Sequence, residues 1–440
     1  MTIEKFFDKE NLDSLARESN FVRRKSKLSG ALFLQALVLN NLDYSSLTLQ
    51  EVCCELSASY GIVMSKQGID QRFNKEAVAF LKRALEQKIA SQINTVDCKE
   101  MFAPFAGVRI KDSTKFVAPD TLAEDFACNG MGGHKAGIKI SYEFDIKTGK
   151  IIHLELFSAN VQDLTDAQTT VGDIKPGELV IRDLGFIVTD VLQKIEAKKA
   201  FFINRLHSNV LVFEQDKPNH YKKLDYLAIC KHMKRNHMQR VEKEVLIGNK
   251  QRYKVRMIIE RLPQEKINER MRKLKEAGKR KGYIPSELAK AKASINVYVT
   301  NTSPRIIGAD KIRSYYSLRW QIELMFKIWK STLHIHQLKV MKQERYLCHL
   351  FAKLIWVCIS FTIFRFMCGY RVEKNTGQIS MLKTLKHLKI HLKAMALASP
   401  ENREQQIGCF VIFAFKYWRL ENKKCKLGQE KTMEYFAHKP

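Results

Sequence analysis

Apolar residues recur every three or four positions through the first hundred residues, the spacing of helices with one buried face. SLTLQEVCCELS (46–57) predicts one helix, SYGIVM (59–64) a turn, and SKQGIDQRFNKEAVAFLKRAL (65–85) a second helix opening at Ser65. From about residue 101 the period changes. AGVRIKD (106–112) predicts a short strand ending at Asp112, and residues 138–157 a hairpin around a Thr-Gly turn. DAQTTVGD (166–173) predicts a short helix. ELVIRD (178–183) predicts a buried strand ending at Asp183, followed by a Leu184-Gly185 turn and a helix over 187–199. Strands mixed with crossover helices indicate an α/β domain.

Residues of about 200–293 have the character of an insertion. KAFFINRL (199–206) predicts a strand, 244–262 a hairpin turning at Gly248-Asn249-Lys250, and INERMRKLKEAGKRKGY (267–283) a strongly basic helix. SINVYVTN (294–301) returns to a sheet pattern. The apolar positions of YYSLRWQIELMFKIWKS (315–331) predict one helix beginning near Gly308. Residues 345–370 predict a second apolar helix, and 379–399 an amphipathic basic one. The resulting segments are 1–100, 101–200, 201–293, 294–375 and 376–440.

Within 315–331, Tyr316, Arg319, Glu323 and Lys330 are three, seven and fourteen residues from the first. At about 100° per residue these steps fall within roughly 60° of one another. The four side chains form one stripe, and Leu318, Ile322, Met325 and Trp329 form the opposite, core-facing one. A phenol, a guanidinium, a carboxylate and an ammonium therefore point together, away from the core.

Charge sharpens this picture. Lys plus Arg number 75 against 46 Asp plus Glu, a formal net charge of +29. Such an excess attracts polyanions, nucleic acid first among them. The basic run over 267–283 then fits DNA contact as well as a solvated helix face. The order of elements over 46–85 matches a helix-turn-helix presenting Lys66, Gln67, Gln71 and Arg72 to DNA, and it equally fits a plain helical bundle. The ten cysteines include no C-x-x-C pair, so neither a disulfide framework nor a zinc site is expected. The opening residues MTIEKFFDKENLD lack the apolar core of a secretory signal. LIWVCISFTIF (354–364) is too short to span a bilayer. These features fit a cytoplasmic protein without a membrane partner.

Three carboxylates then stand out. Asp112 and Asp183 end two strands, and Glu323 lies on the outward stripe. Strand ends of an open α/β sheet are where ligands bind. Three converging carboxylates form a hard oxygen cage suited to Mg²⁺ or Mn²⁺. Two such ions catalyse in-line attack at a phosphodiester. Arg319 and Lys330 would grip phosphates, and Tyr316 would bond a phosphate or pack on a sugar. Singly, each residue has a plainer role: Asp112 or Asp183 a turn former, Glu323 the salt-bridge partner of Arg319 four residues away. GMGGHKAG (130–137) lacks phosphate-loop spacing and reads as a turn before a strand.

At this point the sequence resembles the DDE transposases of bacterial insertion sequences, of the "IS-four" family. Tyr316, Arg319, Glu323 and Lys330 match that family's Y-x2-R-x3-E-x6-K signature. IKDST around Asp112 resembles its first-aspartate motif, and IRDLGF around Asp183 its second, with Leu184 replacing the usual polar residue. The 140-residue step from Asp183 to Glu323 resembles one that holds a β-rich insertion. The similarity covers about residues 20–370. It implies an RNase H-like catalytic domain split by that insertion, with a helical N-terminal DNA-binding region and a helical C-terminal region. It also implies Mg²⁺-dependent cutting and rejoining of double-stranded DNA at the element's ends and at a target. A DNA hairpin intermediate and a synaptic homodimer are implied as well. Some relatives stack an insertion-domain Trp on a flipped base; no Trp precedes Trp320 here, leaving Phe186, Tyr253 or Tyr298 for that role. An RNase H-like nuclease without strand transfer and a non-catalytic DNA-binding derivative remain open. A two-carboxylate glycosidase finds no support in so basic a chain.

Overall fold

The computed structural model describes residues 7–24, 26–40, 48–90, 100–148, 150–183, 189–206, 209–218, 220–249, 252–331, 334–373, 380–398 and 400–418. Its helical start comprises α1 (Lys9–Glu18), α2 (Gly30–Asn40), α3 (Leu49–Tyr60), α4 (Lys66–Asp70) and α5 (Lys75–Ala90). Next come β1 (Val108–Ala118), β2 (Ala136–Asp145), β3 (Lys150–Ser158), α6 (Asp163–Thr170), β4 (Leu179–Arg182), α7 (Thr189–Ala197) and β5 (Phe201–Arg205). Then follow β6 (Val212–Lys217), β7 (His220–Lys223), α8 (Tyr226–Arg235), β8 (Arg240–Ile247), β9 (Tyr253–Arg261), α9 (Gln264–Lys281), α10 (Glu287–Ala293) and β10 (Ile295–Thr300). The last elements are α11 (Ile312–Ser317), α12 (Trp320–Ser331), α13 (Gln343–Glu373), α14 (Met381–Leu397) and α15 (Pro400–Tyr417).

The chain divides into two compact units. One comprises residues 1–99, 113–161 and 321–440; the other comprises 100–112 and 162–320. The first is mainly helical. Its α13 packs against α5 and α2, burying Tyr346, Leu350, Leu354, Trp356 and Phe361. Helices α1 and α2 approach so closely that a Cβ on Gly30 would stand 2.3 Å from the Cβ of Ala16. The antiparallel hairpin β2–β3 completes this unit, and Tyr142 of β2 lies edge-on to Trp329 at 4.9 Å.

The second unit is built on a mixed sheet in the order β1-β4-β5-β10-β9-β8-β6-β7. Strands β1, β4 and β5 run parallel, and the remaining pairings are antiparallel. One core cluster gathers Val180, Phe202, Val299, Met257 and Ile259 from the strands with Val191, Leu192 and Ile195 of α7.

Several expected elements change length. The segment expected as one helix from Ser65 is two. Ser65 caps α4, its hydroxyl accepting from the Gly68 amide at 3.0 Å, and the Asn74 side chain accepts from the Ala77 amide at 2.8 Å to start α5. Lys66 and Gln67 are exposed on α4, whereas Gln71 and Arg72 lie in the turn after it. Strand β1 does not end at Asp112 but continues to Ala118, because Thr114, Phe116 and Ala118 alternate inward. The helix expected from Gly308 starts at Ile312 and is interrupted after Ser317. The hairpin β6–β7 and helices α8 and α15 were not expected. The turn at 184–185 lies outside the described residues.

The apolar segment expected to be too short for a bilayer belongs to the 31-residue α13. Its stretch Gln343–Phe364 is long and apolar enough to cross a membrane, and most of it is buried within the fold. His349 and Lys353 lie inside this helix. Burial, with Arg345 and Lys353 nearby, holds His349 at about 3, so it is neutral at pH 7. Burial lowers Lys353 to about 8, and its ammonium donates to the His334 carbonyl at 3.1 Å. Between about pH 8 and the ordinary lysine value the unfolded chain binds more protons there than the folded one, so this group's contribution to stability rises with pH. Lys353→Met is therefore expected to raise Tm most below pH 8, with the gain shrinking as pH rises toward 10. Thermal melts of both proteins at matched pH check this; a gain independent of pH contradicts it.

Candidate active site

The β1–β4 ladder pairs Val108 with Leu179 and ends at Lys111 with Arg182. Asp112 and Asp183 are the next residues of two neighbouring parallel strands. Side chains alternate along a strand, so both carboxylates take the face opposite Lys111 and Arg182.

Helix α11 stands before that face. The Tyr316 hydroxyl donates to Asp183 Oδ1 at 3.3 Å. Arg319 reaches both acids: one terminal nitrogen donates to Asp112 Oδ2 at 3.2 Å, and Nε lies 3.6 Å from Asp183 Oδ1. One guanidinium therefore bridges two carboxylates and offsets half of their charge. The Arg319 side chain is only 11% exposed, a setting in which charge-assisted bonds are weakly screened. Tyr316 is buried, its ring packing on Tyr298 with centroids 5.4 Å apart. Burial is the main cause raising its phenol above the ordinary tyrosine value, so the hydroxyl keeps its proton and acts as a donor. Tyr315 anchors the same turn by donating to the Met101 carbonyl.

The single helix expected over 315–331 is broken between Tyr316 and Glu323. The Leu318 amide bonds to the Tyr315 carbonyl and the Arg319 amide to that of Tyr316, each at 3.1 Å. These three-residue steps form a tight turn before α12 begins. Tyr316 and Arg319 do not point outward into solvent but at the aspartates. The core stripe is as expected: Leu318, Ile322, Met325 and Trp329 are all buried. Glu323 and Lys330 are half-buried on α12. Lys330 donates to the Lys115 carbonyl at 3.0 Å, and burial lowers its pKa.

Among the described residues, no three His, Cys, Asp or Glu side chains form a metal-holding cluster. The donor chemistry of Asp112 and Asp183 nevertheless suits a hard divalent cation: two carboxylates already share one positive charge. Two of the aromatics considered for a flipped base are buried and bonded. Tyr253 donates to Glu196 at 2.6 Å, and Tyr298 accepts from the Asn296 side chain at 3.0 Å. Phe186 lies outside the described residues.

Sequence reading passed over the residues behind the aspartates. Lys111, Asp166, Thr170 and Arg182 form one buried polar network. Its only sequence signal was a cation immediately before each aspartate, in IKD and IRD.

A family model described as "Transposase DDE domain" matches residues 103–359. The chain is 31% identical to the transposase for insertion sequence element IS231B of Bacillus thuringiensis subsp. berliner, across 96% of this chain and 91% of that protein. It is 32% identical to the IS231F transposase of Bacillus thuringiensis subsp. israelensis, across 98% and 93%. Identity to the IS1151 transposase of Clostridium perfringens is 29%, across 88% and 85%. The chain therefore belongs to the DDE transposases of bacterial insertion sequences.

Arg319→Gln leaves two neighbouring carboxylates without their shared cation. The expected loss of stability at neutral pH is about 1–3 kcal/mol. Mg²⁺ or Mn²⁺ should raise the Tm of Arg319→Gln more than that of the wild type, since no guanidinium has to be displaced. Thermal melts with and without the ion decide; equal shifts contradict the reading.

Proposed function

We propose that Asp112, Asp183 and Glu323 are the metal-holding carboxylates of a Mg²⁺-dependent transposase, with Mn²⁺ able to substitute. The enzyme cuts DNA at the ends of its insertion sequence and rejoins them to a target. The observation that carries this reading is the sharing of Arg319 by two aspartates that sit one residue past the end of the parallel β1–β4 ladder. Family membership adds the reaction class. When bound, divalent ions supply charge for an activated water or 3′-hydroxyl and for the leaving oxygen.

The chain's own residues supply the rest. Tyr316 fixes the Asp183 carboxylate by its hydrogen bond. With a divalent ion held by Asp112 and Asp183, Arg319 would be available to bind a phosphate oxygen of the element's end. Lys330, a partly desolvated ammonium, takes a second phosphate. Lys66 and Gln67 on α4 of one unit, and the basic helix α9 of the other, each offer further contacts to DNA. Tyr283, 47% exposed just beyond α9, is more accessible for stacking on a base than the buried Tyr253 or Tyr298. Two element ends have to be joined in one event, so the active form is a homodimer in a synaptic complex, working in the bacterial cytoplasm.

Cleavage of a plasmid carrying the element's own ends tests this. Double-strand breaks are expected with Mg²⁺, none with EDTA, and none for Asp183→Ala or Glu323→Ala, while both variants still bind the ends. Full cleavage by Glu323→Ala removes it from the triad. End-specific binding without cleavage by the wild type favours a non-catalytic derivative. Lys330→Ala should lower the slope of log affinity against log salt by about 1; an unchanged slope removes Lys330 from the phosphate contacts.

A further inference from the structure

Behind the two aspartates the sheet carries cations where apolar side chains are usual. Lys111 is 0% exposed, and Asp166 and Arg182 are each 1% exposed. The Lys111 ammonium donates to Asp166 Oδ1 at 2.6 Å, to Thr170 Oγ1 at 2.9 Å and to the Asp166 carbonyl at 3.1 Å. These contacts use all three of its hydrogens. Arg182 donates to the same Thr170 oxygen at 3.2 Å. A single hydroxyl on α6 thus ties together the last paired residues of β1 and β4. Arg109, two residues earlier on the same face, donates to the Asp173 carbonyl at 2.8 Å and to Glu178 at 3.1 Å.

Stability alone does not account for this arrangement. A buried ion pair is commonly no more stabilising than an apolar pair of similar volume. It differs in being directional. Apolar contacts tolerate small slides, whereas a hydrogen-bonded ammonium holds its acceptors at about 3 Å along fixed directions. A slip of one residue between β1 and β4 would turn one of the aspartates to the wrong face.

We propose that Lys111, Arg182 and Thr170 are positioning residues that lock the β1–β4 register and thereby set the separation of the Asp112 and Asp183 carboxylates. They touch neither substrate nor metal. The inference rests on the assignment of those two aspartates as metal-holding groups.

The test replaces the ion pair with an apolar one, Lys111→Met together with Asp166→Leu, so that neither member of the pair is left unpaired, while Arg182 keeps its bond to Thr170. Thr170→Val is the second variant; it keeps both cations and removes only the shared hydroxyl. Four properties of the full chain are measured: Tm, binding of element-end DNA, cleavage rate, and Mn²⁺ binding followed by loss of the free ion's EPR signal. The paired variant is expected to melt within a few degrees of the wild type and to bind ends within about twofold. Its cleavage should fall about tenfold or more, and its half-saturating Mn²⁺ concentration should rise about tenfold. Thr170→Val should move both in the same direction by less. Wild-type Mn²⁺ binding and cleavage in either folded variant overturn the proposal, and Thr170→Val decides alone if the paired variant fails to fold. Asp112→Asn and Asp183→Asn separate the two levels. If these variants still bind Mn²⁺ and cleave, the site assignment has failed. If they are inactive while the register variants behave as wild type, only the positioning inference has failed.

Discussion

Two carboxylates side by side where a parallel ladder ends repel each other. Neighbouring strands lie about 4.8 Å apart, and at that spacing two partly shielded carboxylates favour a cation between them. Most of what surrounds Asp112 and Asp183 follows from this preference. Arg319 supplies the positive charge in the structure described. To do so it has to arrive from a turn that brings its side chain back onto the sheet, and Tyr315 and Tyr316 pin that turn from either side. The fold thus maintains a place for positive charge, and the reaction of the family requires one.

Much of this site was legible in the sequence, since its parts obey simple periods. ELVIRD forms a strand that ends at Arg182, one residue before the expected Asp183, and the stripe Leu318, Ile322, Met325 and Trp329 packs inward as its spacing requires. The break at Leu318 was not legible. A tight turn with three-residue steps departs too little from 3.6 residues per turn to disturb an apolar stripe over so short a run. Strand β1 was cut short at Asp112 because Ser113, Thr114 and Lys115 read as the polar end of a strand, although Thr114 is buried. Lys111 and Arg182 were missed for a related reason. Sequence patterning treats a cation as a surface residue, and only tertiary structure provides Asp166 and Thr170 to satisfy it.

The signature also turns out to be divided. Tyr316 and Arg319 belong to the same compact unit as Asp112 and Asp183, whereas Glu323 and Lys330 belong to the other. Four residues that look like one stripe on one helix are two pairs with separate supports. The first pair is held by hydrogen bonds to aspartate, and the second by the packing of an amphipathic helix.

The turn between α11 and α12 acts as a phase setter. The direction of Glu323 around the axis of α12 is fixed by Ile322, Met325 and Trp329, which have to stay inside. The direction of Arg319 is fixed by the aspartates. One residue inserted between them would oblige α12 to rotate by about 100°, and either the buried stripe or the acid would lose its place. The spacing of three residues between Arg319 and Glu323 is therefore a mechanical constant of this protein.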